Sequence, residues 1–359
     1  GTTTDANGLP TGYASVTSAQ TGNWGDTWYS GIQLGAYIDL SGYNGNDIRF
    51  YSGGGNIVLK GKSANSMPGI TWLGGTSGAT QIIDAGAGTI TINGQAESTG
   101  HGIEFNWGGR AASPTIKSSS NATTAISITA TTTNTTGYSG YQGQVTLIAS
   151  GAGGITITGT SAGSGSSVNA SGMNLYAASG AIAINGTGGT GVNIGGTWGK
   201  GTLSSNSSSN ISVTASAIRL YNTTTSTSGN ISFNGALTLA NDISIASSAG
   251  IVTFTGTINS DGAASPRALT VNAGTGSVVF GGVIGGSSVL RNFTATGSAG
   301  ITINGSITTA TGFDDGLLFE KFYSYVGNNL TLFTTARNIN SNNAAARKCP
   351  IFLGHHLRL

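Results

Sequence analysis

A short alternation of apolar and polar residues, closed by glycine, recurs along the chain. Its form is an aliphatic residue, any residue, a second apolar residue, any residue and then Gly, as in GITING at 300–305. Side chains alternate between the two faces of a β-strand, so Ile301 and Ile303 face one side and Thr302 the other. Asn304-Gly305 is a turn dipeptide that tolerates positive φ. Each copy of the pattern therefore predicts one strand followed by one corner.

The copies are spaced as in a repeat protein. Their first apolar residues stand at 57, 90, 155, 182, 231, 252, 278 and 301. We divide the gap from 90 to 155 into three turns and the gap from 182 to 231 into two, with Ile211 inside the latter. The resulting period of about 20–29 residues is typical of solenoids.

One five-residue strand cannot bury its apolar face, but the same strand stacked in successive turns covers Ile with Ile. Parallel crossover connections are right-handed by default. The sequence therefore predicts an all-β fold, a right-handed parallel β-helix of roughly fifteen turns at about 20–29 residues per turn. We expect an N-terminal cap or irregular first turns over 1–50, β-helix repeats over 51–312, and a C-terminal cap or joining segment and tail over 313–359.

Composition changes the set of functions to consider. The chain has 359 residues, of which 61 are Gly and only 7% are charged, with a net charge of +2 and a single Cys. The 14 Lys and Arg residues are scattered, which argues against a nucleic-acid partner. No apolar run approaches the ~20 residues of a membrane span. One Cys excludes an internal disulfide framework. Low charge itself fits stacked strands, since repeated charges would repel one another.

The repeats resemble those of filamentous-haemagglutinin-like exoproteins, the adhesins exported by two-partner secretion. The similarity is clearest over 226–310, in runs such as SAGIVTFTGTINSDGAASPRALTVNAGTGSVVFGGVIGG, and weaker over 53–225. The resemblance implies a right-handed parallel β-helix that lies outside the cell and serves adhesion or forms surface fibres. A recognisable N-terminal secretion domain is missing, so we expect a fragment, a processed mature chain or a different export system.

Catalytic and metal sites are not predicted. Glycan-cleaving β-helices need clustered carboxylates, and no acidic residue lies between Glu104 and Asp242. His101 has no second imidazole nearby, Asp314-Asp315 is interpreted as a turn, and His355-His356 with Cys349 as a solvated tail. Thr-x-Thr pairs such as Thr89/Thr91 are interrupted too often for an ice-binding grid. We therefore expect no catalytic residue, no cofactor and no metal.

Asn-x-Ser/Thr sequons are the candidate modification sites. Exposed corner Asn residues of this kind can carry glycans. The eleven sequon residues are Asn121, Asn134, Asn169, Asn185, Asn206, Asn210, Asn222, Asn230, Asn292, Asn304 and Asn329.

Taken together, these features predict an extracellular, non-enzymatic β-solenoid of the bacterial cell surface with a structural or adhesive role. It would bind a host surface, a neighbouring cell or a glycan through its Thr/Asn-rich faces or through Trp72, Trp107 and Trp198. The alternative is a filament subunit that joins end to end through its termini. A polysaccharide-degrading enzyme is the least favoured interpretation. The candidate self-assembly contacts are Trp24, Trp28, Phe319, Phe322 and Tyr323.

Overall fold

The computed structural model describes residues 6, 11–16, 30–34, 47–64, 66–73, 79–106, 112–196, 201–205, 209–221, 223–310 and 330–332. Regular structure in these ranges is entirely β, with no helix. The strands, in chain order, are β1 (Ala14–Val16), β2 (Ile32–Leu34), β3 (Ile48–Tyr51), β4 (Ile57–Ser63), β5 (Ile70–Trp72), β6 (Gln81–Asp84), β7 (Ile90–Ala96), β8 (Ile103–Phe105), β9 (Thr115–Ser118), β10 (Thr124–Thr132), β11 (Tyr141–Gly143), β12 (Thr146–Ala149), β13 (Gly154–Ser161), β14 (Val168–Ala170), β15 (Asn174–Ala177), β16 (Ile182–Gly188), β17 (Val192–Ile194), β18 (Gly201–Ser205), β19 (Ile211–Leu220), β20 (Thr223–Thr227), β21 (Ile231–Leu239), β22 (Ile243–Ser247), β23 (Val252–Phe254), β24 (Ile258–Ser260), β25 (Ala268–Asn272), β26 (Ser277–Phe280), β27 (Asn292–Thr296), β28 (Gly300–Ile303) and β29 (Leu330–Leu332).

The chain passes through three ladders of parallel strands in a fixed order. Ladder A contains β1, β4, β7, β10, β13, β16, the first part of β19 and of β21, β23, β26, β28 and β29. Ladder B contains β2, β5, β8, β11, β14, β17, the second part of β19 and of β21, and β24. Ladder C contains β3, β6, β9, β12, β15, β18, β20, β22, β25 and β27. Because β19 and β21 run through both A and B, these ladders form one 19-stranded sheet, and ladder C is a separate 10-stranded sheet.

This arrangement confirms the all-β, solenoid-like stack of parallel strands that the alternation predicts. Each strand of one turn pairs in parallel with the equivalent strand of the next, as β7 does with β4 and with β10. The inward residues stack in columns, so aliphatic side chains cover one another along the molecule. In β28, Ile301 is 2% exposed whereas Thr302 is half-buried on the outside. The first column of ladder A consists of Ile57, Ile90, Ile126, Ile155, Ile182, Ile211, Ile231, Val252, Val278 and Ile301.

The predicted period of 20–29 residues is too narrow. Consecutive first positions in the column at 57, 90 and 126 are 33 and 36 residues apart, whereas those at 211, 231 and 252 are 20 and 21 apart. The gap from 90 to 155 holds one additional turn, at Ile126, rather than two. Ladder C accordingly counts ten strands among the described residues, fewer than the fifteen turns expected.

The packing of aromatic rings in the core differs between the later and the earlier turns. Phe254 lies parallel to Phe233 and Phe280, with ring centroids 5.5 and 5.1 Å apart. In earlier turns Trp72 and Phe105 meet edge to face at 5.8 Å. Trp72 is fully buried and its indole Nε1 donates to Gln81 Oε1 at 2.7 Å. The expectation that Trp72 is a surface-binding aromatic is therefore wrong, because its ring fills the core.

The corner between ladders A and B, here called the A–B corner, shortens along the molecule. It has six residues at 64–69 and 97–102, and eight at 133–140. It has three at 189–191, and none in β19 or β21, where one strand serves both ladders. The long corners extend over the outer side of ladder B, and this position creates the cavity described below.

Several predicted features lie outside the described residues. These are the candidate self-assembly contacts Trp24, Trp28, Phe319, Phe322 and Tyr323, the aromatic residues Trp107 and Trp198, and the tail residues Cys349, His355 and His356. At the two ends of the chain, β1, β2 and β3 join the three ladders, and β29 pairs with β28. The described chain contains no helix that is long and apolar enough to cross a membrane.

Candidate functional site

The outer side of ladder A presents columns of uncharged hydroxyl and amide groups. In one column Thr129 and Thr158 stand in register, continued by Asn185 and Thr214. Asn234 extends it and donates its amide to Thr214 Oγ1 at 3.3 Å. The neighbouring outer column contains Thr91, Ser127, Thr156, Ala183, Ser212, Ser232, Thr253, Val279 and Thr302. Apart from Ala183 and Val279, these stacked side chains can donate and accept hydrogen bonds.

The described sequon residues all reach the surface. Five are exposed, namely Asn121, Asn210, Asn230, Asn292 and Asn304, and three are half-buried, namely Asn134, Asn169 and Asn185. Asn206, Asn222 and Asn329 lie outside the described residues.

Some sequon residues also have a structural role at the corner between ladders C and A. Asn230 Oδ1 accepts a hydrogen bond from the backbone N–H of Ile251 in the next turn at 2.8 Å. Asn121 Oδ1 accepts from Ala152 N–H at 2.9 Å. Asn56, which is not part of a sequon, accepts from Thr89 N–H in the same way at 2.8 Å. Asn at this corner therefore satisfies a backbone donor that no strand partner reaches.

A cavity of about 280 Å³ lies on the outer side of ladder B in the early turns. Its base is the outer column of that ladder, where Thr71 and Glu104 stand in register. Its other walls come from three successive A–B corners. The lining residues are Gln33, Ser66, Met67, Pro68, Thr71, Leu73, Gly100, His101, Glu104 and Tyr138.

Backbone hydrogen bonds hold these corners in layers. Gly69 N–H donates to His101 O at 3.1 Å, and Gly102 N–H donates to Ser139 O at 3.3 Å. A Cβ on Gly100 would lie 2.3 Å from Met67 O, so only glycine lets the two corners approach this closely. The cavity walls are therefore fixed by the same stacking that builds the ladders.

Glu104 is the charged group of the cavity. Its side chain points outward between the inward residues Ile103 and Phe105, yet the residue is only 7% exposed because the corners cover it. No hydrogen bond or ion pair joins its carboxyl group to any described residue. Burial raises the pKa of this carboxyl group to about 7. The carboxyl group is thus held in a poorly solvated place without a counter-charge.

His101 and Tyr138 form the wall beside it. The His101 Nδ1 atom accepts a hydrogen bond from Ser139 N–H at 2.9 Å, which leaves the proton of the neutral ring on Nε2. Burial lowers the pKa of His101 to about 4, so the imidazole is uncharged at neutral pH. The rings of His101 and Tyr138 meet edge to face with centroids 5.2 Å apart.

Among the described residues that line it, the cavity lacks the carboxylate pair of a glycosidase. Glycoside hydrolysis ordinarily uses two carboxyl groups on either side of the scissile bond. Glu104 is the sole carboxyl group among the described lining residues. In the described ranges no three His, Cys, Asp or Glu residues come close enough together to hold a metal ion.

A second set of charged residues lies on later turns at the surface. Asp261 binds Arg267 at 2.9 Å and Arg219 at 3.4 Å. Asp242 binds Arg291 through an ion pair and accepts the Ala268 N–H at 2.9 Å. Hydrogen bonds, chiefly from Arg267 to Asp261 and from Ala268 to Asp242, hold the pKa of both carboxyl groups below the usual value.

Sequence reasoning missed the cavity, although two signals were present. The alternation of IEF places Glu104 outward between two core residues, which marks it as a polar group on a ladder face. The 33- and 36-residue turns also leave surplus chain near this face. His101 was assessed only for a second imidazole, and the structure places it beside Tyr138 and in the same cavity as Glu104.

Comparison of the chain with protein-family models, with curated proteins and with solved structures gives no match. The resemblance to filamentous-haemagglutinin-like exoproteins therefore stays a prediction.

Proposed function

We propose that this protein is an extracellular, non-enzymatic β-solenoid of the bacterial cell surface with a structural or adhesive role. The observation that supports it best is the outer face of ladder A. From Asn93 through Thr129 and Thr158 to Asn234, the column carries hydroxyl and amide groups and no charge. Lys60 alone brings a charge to the column, at its start.

Such a face suits an extended polar partner. Hydroxyl and amide groups exchange hydrogen bonds with water for hydrogen bonds with a glycan at little desolvation cost. Charged side chains on the face would instead lose their hydration on contact, which would weaken binding. Individual contacts are weak, but a repeated column offers many of them to a repeating partner. The ion-paired charges of the later turns stand outside this column, since Arg219 lies on the outer side of ladder B and its partner Asp261 follows β24.

The proposed architecture is a right-handed parallel β-helix. The chain order through ladders A, B and C repeats in every turn, and parallel strand connections are right-handed in nearly all proteins. On this proposal the corner sequons are accessible to glycosyl transfer, and intact-mass measurement on material from the native host tests it. A mass of the bare 35.6 kDa chain would contradict glycosylation.

The adhesive role is tested by retention on insoluble glycans and on a glycan array. We expect retention by at least one glycan, lowered tenfold or more by Thr158→Lys, which puts a charge in the middle of the column. Ser204→Lys is the matched control on the outer side of ladder C, and it should bind as the unchanged protein does. Equal loss in both variants, or no retention by any glycan, would contradict an adhesive face.

The second candidate function is a filament subunit, favoured by the edge of ladder C. Within the described residues, β27 pairs with β25 along one edge and its other edge has no strand partner. An unpaired strand edge is a template for another chain, and a head-to-tail contact that does not close produces a filament.

Negative-stain electron microscopy over a range of concentrations separates the two candidates. Filaments with an axial repeat near one solenoid length would favour the subunit. Ala295→Pro, in β27, removes a backbone N–H that faces that edge, since Thr294 and Thr296 bond to β25, and should then shorten the filaments. Single short rods at every concentration would contradict the filament and leave adhesion to be judged by glycan retention.

A further inference from the structure

We propose that the cavity on the outer side of ladder B binds a small ligand carrying a primary ammonium group, with Glu104 as its counter-ion. This inference does not depend on the adhesive or structural role, because it concerns a different face of the molecule. It rests on the composition of the cavity, on the isolation of one carboxyl group within it, and on the rigidity of its walls.

The isolated carboxyl group is the first argument. Glu104 is 7% exposed, lines the cavity and has no partner among the described residues. A buried carboxylate without a counter-charge has an unfavourable desolvation free energy. A ligand that brings a positive charge beside it offsets that free energy and so binds more tightly. The residues that stand in register on either side, Thr71 and Gln142, are uncharged and cannot do so.

The other walls select against competing ligands. No Lys or Arg is among the described lining residues, so an anion would meet Glu104 unopposed. The His101 ring is neutral and Tyr138 is a phenol, so neither supplies a cation. Lys62, a basic residue of β4 on ladder A, is already paired with Glu97 at 2.6 Å. A neutral ligand would leave the carboxyl group as it is, uncompensated.

The remaining surface accommodates a short organic body beside the ammonium group. Met67, Pro68 and Leu73 are apolar, and the Tyr138 ring can lie against a cation or an alkyl chain. A volume of about 280 Å³ is just below the ordinary range for drug-sized ligands, which limits the ligand to a few carbon atoms or one ring. A primary ammonium group is favoured over a quaternary one because it can donate hydrogen bonds to Glu104 and to the Thr71 hydroxyl.

The cavity is formed before any ligand arrives. Its three corners are joined by backbone hydrogen bonds from Gly69 to His101 and from Gly102 to Ser139. Thr132 Oγ1 also donates to Gly100 O at 2.8 Å, which fixes the middle corner to the end of β10. Walls ordered in advance reduce the entropy that binding would otherwise lose.

The test is binding of n-propylammonium to the full chain at pH 8, followed by NMR, with 1-butanol as the uncharged probe of similar size. We expect saturable binding of n-propylammonium and at least tenfold weaker binding of 1-butanol. Tetramethylammonium should also bind at least several-fold more weakly. Equal binding of 1-butanol would overturn the ionic assignment, and equal binding of tetramethylammonium would overturn the primary ammonium.

Glu104→Gln supplies the variant test, because it preserves size and removes the charge. It should weaken n-propylammonium binding at least tenfold. Glu97→Gln is the matched control, an exposed glutamate outside the lining residues, and should bind normally. Unchanged binding by Glu104→Gln would overturn the proposal.

A pH series on the unchanged protein keeps the proposal falsifiable if the variant fails to fold. Among the described residues, the titratable groups that line the cavity are Glu104, His101 and Tyr138. The probe n-propylammonium stays protonated from pH 5.5 to 8 because alkylamines titrate near pH ~10. Binding should weaken at least tenfold from pH 8 to pH 5.5 as Glu104 takes up a proton. The ligand should also lower the titration midpoint of the Glu104 carboxyl signal by a unit or more. Constant binding with an unmoved midpoint would overturn the proposal.

Discussion

Glu104 and Arg219 occupy the same outer column of ladder B, four turns apart, and their surroundings are opposite. The column runs in register from Glu104 through Gln142, Asn169 and Asn193 to Arg219. Glu104 is 7% exposed and has no partner among the described residues. The side chain of Arg219 is 39% exposed and reaches Asp261 at 3.4 Å. Equivalent positions in a repeat therefore do not have equivalent chemistry.

The length of the A–B corner explains the difference. We call 57–177 the wide-corner region, where the corners of six to eight residues fold over ladder B, and 211–296 the narrow-corner region, where they have three residues or none. Under a wide corner an outward polar side chain is shielded from water, and Glu104 in this position has no partner among the described residues. Beside a narrow corner the same position stays at the surface, where Arg219 and its neighbours neutralise one another.

The largest expected effect tests whether the two regions open independently of each other. Phe254→Ala removes the middle ring of the stack with Phe233 and Phe280, and should lower the free energy of opening of the narrow-corner region by about 3–5 kcal/mol. Turns of a solenoid contact only their neighbours, so the wide-corner region should keep its stability. Hydrogen exchange on both regions measures this.

Phe254→Leu is the matched control, since it keeps most of the volume. It should cost less than about 1.5 kcal/mol. If Phe254→Ala opened β8 as readily as β23, the regions would form one cooperative unit and the comparison would fail.

The next effect is specific to the wide-corner region and concerns pH. Glu104 has a raised pKa, about 7 in the fold, so its contribution to stability is lost as pH rises from its unfolded value near 4.5. His101 has a lowered pKa, about 4 in the fold, so its contribution is lost as pH falls from 6.5. Between about pH 4.5 and 6.5 the contribution of Glu104 to stability falls with pH while that of His101 rises. The stability of this region should therefore be nearly constant over that range.

Single substitutions should reveal the pH dependence that each group gives to the opening free energy near β8. Glu104→Gln leaves His101 alone, and the opening free energy near β8 should then rise by up to about 3 kcal/mol from pH 4 to 6.5. His101→Asn, which keeps an acceptor for Ser139 N–H, should show a fall of similar size from pH 4.5 to 7. Hydrogen exchange in a pH series measures both. A flat profile in both variants would mean that neither group is buried as the structure shows.

The predictable part of the fold is the part that alternation encodes. The pattern ending in Gly predicts strands because inward apolar residues stack. The Gly lies within the strand, two residues before its end in β7 and β13, at an inward position that the backbone of the next ladder approaches closely. In that glycine column, a Cβ on Gly94 would lie 2.3 Å from Gly102 O, and a Cβ on Gly159 would lie 2.0 Å from Ser167 O. The turn at Ile126 was missed because Ala130 occupies this column position in place of Gly. A pattern that requires Gly misses such a turn.

The cavity was not predictable in the same way. The alternation places Glu104 outward, and an outward carboxyl group is ordinarily solvated. Its burial results from the stacking of three corners, with Met67, His101 and Tyr138 brought together from separate turns. Corners carry no alternation, so their path over ladder B depends on tertiary contacts that the local sequence does not encode.

A smaller effect tests what the two regions share. Asn121 in the wide-corner region and Asn230 in the narrow-corner region each accept a backbone N–H from the next turn. Replacement of either Asn by Ala should cost about 0.5–1.5 kcal/mol in local opening free energy, and the two costs should agree. Asn→Asp keeps the acceptor while removing the sequon, so it should be nearly neutral. A large cost for Asp would mean that the amide donor, rather than Oδ1, matters.

The smallest effect concerns the ion pairs of the narrow-corner region. Asp261→Asn removes the partner of Arg267 and Arg219, and should lower the local opening free energy by about 0.2–1 kcal/mol at low salt. Because the pKa of Asp261 is lowered in the fold, this stabilisation is present above its unfolded pKa and is lost as pH falls through the folded value. At 1 M salt the difference should vanish, since the Debye length is then about 3 Å. Asp47→Asn is the control, an exposed pair with Arg49 two residues away on β3. A salt-independent cost at Asp261 would show that this side chain contributes through packing rather than charge, and the contrast with the buried Glu104 would then lose its electrostatic basis.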